Sequence, residues 1–433
     1  MLTADSFAGT AVAVVILLVV IGVTVALHRV PPAVVAVPAA LLLIATGLAG
    51  IRLAMDEITF MAPTIGFLAA MLVIADVCAR RGVFDWIGAV LARLSGGSPT
   101  ALLRLVFVAA AVTTAVLSID TTIVLLTPVA VATALRLRDP PEPAGYASVH
   151  LANSASTLLP VSNLTNLLAF GATGLGFLQF AGVMAAPWLA AIAVEYIVFR
   201  WFFAGRLAAR TGPAGRSAAT TVRIPDRARA DAATPAAPRS TLVMLGLLLV
   251  GFVVAEPLRI PLAVVAAAGA VGMGMPLLIR APAATLRRAV RAADLGFLAF
   301  VAALGVIVLP VREGLIGEWI GDLVPADDGF VALLAIAVLA ALVANVLNNL
   351  PATLLLVPLV AHQPALVLAV LLGVNIGPNL TYFGSLANLL WRDAMRRAGV
   401  RPSAREFVAL GLCTVPPTLI AAVAALWVGV RLL

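Results

Sequence analysis

Asp120 stands in the stretch Ser118-Ile119-Asp120-Thr121-Thr122, with apolar sequence from Ala101 to Leu117 before it and from Ile123 to Leu135 after it. If those flanks lie in lipid, an acid sits near the middle of a membrane. A charge there costs at least about 2.5 kcal/mol, so intramembrane acids mark ion or substrate sites far more often than structure. The second half of the chain holds a stretch of the same kind, Asn348-Asn349-Leu350-Pro351-Ala352-Thr353, also between two apolar arms. Two polar knots in corresponding places are the mark of a transporter built from two repeats. The plainer reading of Asp120 is a buried cap on a half-helix.

Composition supports the membrane reading. Of 433 residues, 63% are hydrophobic and 11% charged, with mean hydropathy +1.12, which excludes a soluble globular domain of this length. All 28 basic residues are Arg, and they cluster at the ends of apolar segments. The net charge of +8 is therefore a topology signal and not a nucleic-acid footprint. Cys78 and Cys413 stand far apart in sequence with no CxxC spacing, so neither a disulfide framework nor a thiolate cluster is indicated. No metal and no cofactor is expected. His28, His150 and His362 occur singly and read as capping or interfacial residues. The first apolar run has no basic residues ahead of it and fits a spanning helix better than a cleaved signal.

Apolar runs of spanning length fall at about 8–27, 32–50, 58–77, 180–204, 240–255, 260–279, 294–311 and 404–430. The regions 100–137, 147–177, 330–362 and 364–391 are apolar but interrupted by Ser, Asn, Asp, Thr, Gly and Pro. Interrupted backbone at membrane depth survives only where it is buried in protein or lines a cavity. Those four regions are the expected core of the site.

Arginine placement gives the orientation. The Arg-rich segment 206–239 reads as a solvated cytoplasmic linker between a first transmembrane repeat, 1–205, and a second, 240–433. Most other arginines then fall inside, leaving Arg52, Arg259, Arg312 and Arg431 outside, provided that 100–137 and 330–362 are hairpins that return to the side they entered. The expected fold is an all-α polytopic membrane protein of two inverted-topology repeats. Each has a re-entrant hairpin, a broken transmembrane helix and an amphipathic surface helix, at about 83–95 and 313–324. The first half is expected to carry one helix beyond the repeat, or else a shifted boundary. The protein is placed in the inner (plasma) membrane with both termini outside.

The candidate site residues are Ser118, Asp120, Thr121 and Thr122 at the first hairpin, and Ser162, Asn163 and Asn166 in the first broken helix. From the second half come Asn348, Asn349 and Thr353, then Asn375, Gly377, Asn379, Thr381 and Ser385. Gly and Pro free backbone groups for binding, half-helix N-termini are positive dipole ends, and hydroxyls and amides hold a neutral polyhydroxyl solute or an oxyanion without fixed charge. Their other use is as glue between helices. Asp120 is the only acid in these breaks. Glu195 is expected to snorkel or pair toward Arg200, and Asp76 to pair with Arg80 and Arg81.

With the run Asp120–Pro128, Pro160-Val161-Ser162-Asn163-Leu164, Asn348–Thr353, Gly377-Pro378, Gly384-Ser385-Leu386-Ala387 and Leu389-Leu390-Trp391, the chain resembles the bacterial arsenite efflux permease (ArsB-type) family of the ion transporter superfamily. The resemblance implies a secondary active transporter that extrudes arsenite and antimonite, driven by the proton gradient or membrane potential, with Asp120 as the coupling acid. It also implies a soluble arsenite-stimulated ATPase as a partner of some members. Arsenous acid is a small neutral triol, which suits Asn, Ser and Thr. The family often has Asn where this chain has Ile119, an acid where it has Asn375, and Lys where it has Asn379. Losing both charges keeps the site neutral and removes a second proton site. Within the same superfamily the alternatives are a sodium-coupled dicarboxylate or other anion carrier, and a sodium/proton antiporter. An intramembrane enzyme needs a nucleophile–base pair or metal triad that the breaks lack, and a passive channel does not need two opposed hairpins.

Overall fold

The computed structural model describes residues 6–26, 30–208 and 236–432, so His28, Arg29 and most of the expected linker lie outside the described residues. The described chain is helical, with nine helices long and apolar enough to span a membrane.

In the first half, α1 (Phe7–Ala26), α2 (Ala33–Ala45) and α3 (Ile51–Arg80) lead to a surface helix, α4 (Val83–Ser95). The hairpin follows as α5 (Pro99–Val116) and α6 (Ile119–Arg136). The broken helix is α7 (Pro141–Ser154) and α8 (Leu164–Phe170), and α9 (Phe177–Phe202) closes the half. The second half starts with α10 (Arg239–Ala255), α11 (Leu262–Arg280) and α12 (Pro282–Ala292), then α13 (Leu295–Arg312) and the surface helix α14 (Leu315–Asp322). Its hairpin is α15 (Phe330–Leu347) and α16 (Asn349–Val360), its broken helix α17 (Pro364–Ile376) and α18 (Leu386–Arg397), and its closing helix α19 (Ala404–Arg431).

The packing is symmetric under exchange of the halves. Helix α2 packs on α13 and α3 on α11; α5 and α6 pack on α7 as α15 and α16 pack on α17; α8 meets α16 as α18 meets α6. Equivalent helices run antiparallel. Glu57, near the start of α3, pairs with Arg312 at the end of α13 at 3.3 Å. Arg206, just past α9, pairs with Glu406 at the start of α19 at 2.6 Å, while Gly429 at the far end of α19 lies against Val183 near the start of α9. Antiparallel mates make the repeat an inverted one.

Both hairpins return to the face they entered. Helix α4 packs on α5 and α6, with its Gly88 against Val129 and Thr133 near the end of α6. Across the molecule, Gln363, just past α16, donates to the carbonyl of Ala326, just ahead of α15, at 3.1 Å. Phe107 in α5 meets Phe199 near the end of α9 edge to face, and residues 204–208 just past α9 pack on α5, so the first hairpin opens at the face where α9 ends. The second opens at the face of the Glu57–Arg312 pair.

One expectation is corrected. The halves carry matching sets, and the helix beyond the repeat is α12, in the second half and not the first. It is a helix with no buried residue, tied to the end of α3 by Arg288, whose Nε is 3.2 Å from Asp76. The 30 residues of α3 rise about 45 Å, more than the ~30 Å hydrocarbon core, so its ends reach both interfaces, where Glu57 and Asp76 find arginines.

Candidate functional site

Both hairpin tips turn through a residue with positive φ, Ser118 at +141° and Asn348 at +74°. Non-glycine residues adopt such backbone only where the surroundings hold it, and that strain collects at functional sites. Ser118 caps α6, its hydroxyl accepting from Thr121 N at 3.4 Å. Immediately after, residues Thr122–Leu126 form a π-helical turn, another feature common at sites. Thr122 is wholly buried and bonds Thr114 across the hairpin at 2.8 Å, and Thr121 bonds Ser118 at 3.1 Å. These hydroxyls zip the hairpin together.

Asp120 is half-buried beside the tip, and among the described residues no other residue bonds or pairs with its carboxylate. The neighbouring charge that acts on it is another acid, Asp294. Asp120 thus has no protein cation of its own.

Each broken helix restarts on a polar cap. Asn163 accepts from Thr165 N at 3.4 Å, and Ser385 accepts from Ala387 N at 3.1 Å. Each break packs on its own hairpin. Ser162 Oγ donates to Ala115 O at 2.7 Å; Asn349 N donates to Gly384 O at 3.1 Å, and Asn348 Nδ2 to Phe383 O at 3.4 Å. Thr353 bonds back to Asn349 O at 2.8 Å. The N-termini of α6, α8, α16 and α18 therefore all begin at the tips and breaks, the arrangement that presents positive dipole ends to an anion or to solute oxygen.

Between the breaks lies a buried amide network with the symmetry of the fold. Asn166 Nδ2 donates to Ser156 O at 2.7 Å and Leu159 O at 3.0 Å. Its mate Asn388 donates to Pro378 O at 2.8 Å and Thr381 O at 2.9 Å. Each then accepts, at 2.8 Å, from an asparagine of the other half, Asn375 onto Asn166 and Asn153 onto Asn388. Asn375 Oδ1 also receives Asn163 at 2.6 Å and Thr165 at 3.0 Å, and Asn153 donates to Asn379 at 2.8 Å. Thr381 bonds Asn345 at 2.8 Å, and Asn345 donates to Gly377 O at 2.8 Å, tying break to hairpin arm. Gly377 is required at its place because a Cβ would lie 2.6 Å from Ala341 Cα; Gly411 on α19 likewise leaves room for the backbone at Leu380.

The expected site residues divide accordingly. Ser118, Asp120, Thr121 and Thr122 form one tip, with Ser162 against its arm, and Asn348, Asn349 and Thr353 form the other. Asn163, Asn166, Asn375 and Asn379 join in the network, Ser385 caps its break, and Gly377 and Thr381 shape the second break. Asn153 and Asn388 stand at the network's centre, and their signal was their place in the same broken stretches. Glu195 and His150 were missed, and the snorkelling and interfacial readings are overturned. Both are 0% exposed. Glu195 accepts from Ser154 Oγ at 2.9 Å and Asn379 Nδ2 at 3.3 Å, while His150 Nδ1 lies 3.9 Å from it. Cys78 and Cys413 are free, and no group of metal-ligating side chains occurs among the described residues.

Opposed hairpins, broken helices and a buried amide network between the breaks define a secondary membrane transporter. The chain belongs to the citrate transporter family (CitMHS), which it matches over residues 15–365. It is similar to the arsenical pump membrane proteins of Escherichia coli K12, at 28% identity over 370 residues, and of Yersinia enterocolitica, at 28% over 377; each alignment covers 82% of this chain and 84% of the relative. An uncharacterized transporter of Mycobacterium tuberculosis is 26% identical over 377 residues, covering 83% of this chain and 84% of that one. Among solved structures, the YdaH transporter of Alcanivorax borkumensis is similar at 18% identity and a TM-score of 0.48, covering 88% of this chain and 87% of that one.

Proposed function

We propose that the protein exports arsenite and antimonite by alternating access, driven by the proton gradient, with Asp120 as the coupling acid. The observation that carries this reading is Asp120 itself, an acid at a hairpin tip among the hydroxyls of Ser118, Thr121 and Thr122, with no cation paired to it among the described residues. A neutral triol needs donors and acceptors, which Asn, Ser and Thr supply, and an unpaired carboxylate can bind and release a proton as the tip is exposed to one side or the other. The names of the arsenical pump relatives point the same way.

The second reading, a sodium-coupled citrate or dicarboxylate carrier, is favoured by the family's description and by the helix N-termini at the tips and breaks. Asp120 weighs against it, because it repels an anion unless protonated. The test is arsenite uptake into inverted vesicles energised by a respiratory substrate. Accumulation that collapses with a protonophore is expected. Citrate uptake that needs sodium, with arsenite ignored, would transfer the site to the second reading.

The arginine-rich face, where α9 ends and α12 lies, is assigned to the cytoplasm of an inner-membrane protein, with both termini outside and the 206–239 linker inside. A protease site inserted between Thr211 and Pro238 should be cut in inverted vesicles and protected in spheroplasts; the reverse pattern would invert this orientation.

A further inference from the structure

Glu195 and His150 are fully buried in the bundle, and the reading above leaves them without a task. Glu195 reaches inward from α9 to α7 and to the second break. Its carboxylate takes the Asn379 amide on Oε1, and Asn379 also donates to His150 O at 3.1 Å; the one hydrogen of the Ser154 hydroxyl is shared between Glu195 Oε2 at 2.9 Å and His150 O at 2.8 Å. His150 Nδ1 faces Glu195 Oε1 at 3.9 Å and Thr414 Oγ1 at 3.5 Å. The Thr414 hydroxyl donates to Leu410 O at 2.9 Å, so both neighbours of Nδ1 are acceptors, which assigns the imidazole hydrogen to Nδ1. Nε2 is then left as a buried lone pair with no partner, edged by Phe199 and Phe407.

Among the described residues no arginine pairs with this carboxylate. Arg206, the nearest arginine past the end of α9, is held by Glu406 of α19. Tyr146 of α7 bonds Ser403 at 3.1 Å, and Arg392 of α18 is paired with Asp393. Tyr196 and Arg200 share α9 with Glu195, and Tyr382 of the second break stacks on Phe407. Among the described residues none of these groups bonds or ion-pairs with Glu195 or His150. With a neutral imidazole and an ionised carboxyl the pair carries one negative charge, with no cation paired to it among the described residues. One added proton, on Nε2 of His150 or on the carboxyl of Glu195, makes the pair neutral.

We propose that Glu195 and His150 form a second proton-binding site that controls the second break. One proton taken from water makes the pair neutral, and its release restores the carboxylate. The unprotonated carboxylate accepts from Asn379 at 3.3 Å, and a protonated carboxyl is the weaker acceptor. Protonation weakens that hold on the Gly377–Leu380 turn and frees the break to move. The symmetry of the fold provides no counterpart, because the positions equivalent to Asn153 and Asn375 are flanked by His150 and Ser154 in α7 but by Leu372 and Ile376 in α17. The proton thus acts on one break only, as a directional device needs. This inference rests on the proton-driven reading above but not on its substrate.

The test is infrared difference spectroscopy of the full-length protein in lipid nanodiscs, titrated in pH without substrate. A protonated-carboxyl stretch should grow as pH falls and vanish in Glu195→Gln. It should move in frequency in Glu195→Asp, the variant to use if Gln fails to fold, and the Asp120 band is removed separately by Asp120→Asn. His150→Gln should shift the pH at which the Glu195 band appears. A Glu195 band that does not change over the range in which the protein stays folded, or one indifferent to His150→Gln, overturns the proposal and leaves the pair a structural contact. Because no arsenite is present, failure of arsenite transport and failure of the proton site are read independently.

Discussion

Asp120→Asn is expected to reduce gradient-driven accumulation to the level of empty vesicles while leaving expression and thermal stability at wild-type values. The two side chains have the same shape, and the carboxylate has no partner elsewhere in the described chain whose bond would be lost. Asp294, the charge that acts on it, is itself an acid capping α13 through Phe297 N at 3.1 Å, so the substitution relieves that repulsion and gives up only the carboxylate's local bond to its own backbone N–H. A change in stability within about 0.5 kcal/mol is therefore expected, as for sites outside packing and buried networks. Transport is another matter, since an amide cannot carry a proton between the two faces. Energised uptake, measured beside detergent melting of the same preparation, separates the two effects. Wild-type uptake in this variant would remove Asp120 from the coupling role. A melting loss equal to the transport loss would make it a structural residue.

The spans and breaks were legible because each is a local property. Twenty apolar residues, or Gly and Pro inside such a run, need no partner to be recognised. The return of each hairpin was legible for a different reason, the arginines that had to stay on one side. What could not be read was which polar residue of one half meets which of the other. Asn163 and Asn375 are separated by 212 positions, and nothing in either stretch encodes the match. Glu195 was misread for a physical reason as well. An acid with Arg200 one turn or so further on looks like an interfacial pair, yet its direction is set by Ser154 and Asn379, which only the folded bundle brings to it.

Asn166→Ala and Asn388→Ala should destabilise the protein by similar amounts, because the two residues do the same work in opposite halves. Each alanine strips two backbone carbonyls of their donor and removes one acceptor from a cross-half amide. Both asparagines are 0% exposed, so water cannot replace them without opening the breaks. At about 1–3 kcal/mol for each group left unsatisfied, the three groups give an expected loss of at least about 3 kcal/mol from either change. Thr381→Val is the internal comparison. Its hydroxyl is half-buried and gives one bond, to Asn345 Oδ1, so about 0.5–1.5 kcal/mol is expected. Membrane hydrogen bonds average only about 0.6 kcal/mol when the unfolded chain can find substitutes, and that lower figure should hold for Thr381 but not for carbonyls freed by a helix break. Melting curves in one detergent decide the matter. Equal, large losses at Asn166 and Asn388 with a small one at Thr381 would show that the network holds the two halves in register. A large loss at one asparagine alone would mean that the symmetry of the contacts is not a symmetry of the energetics.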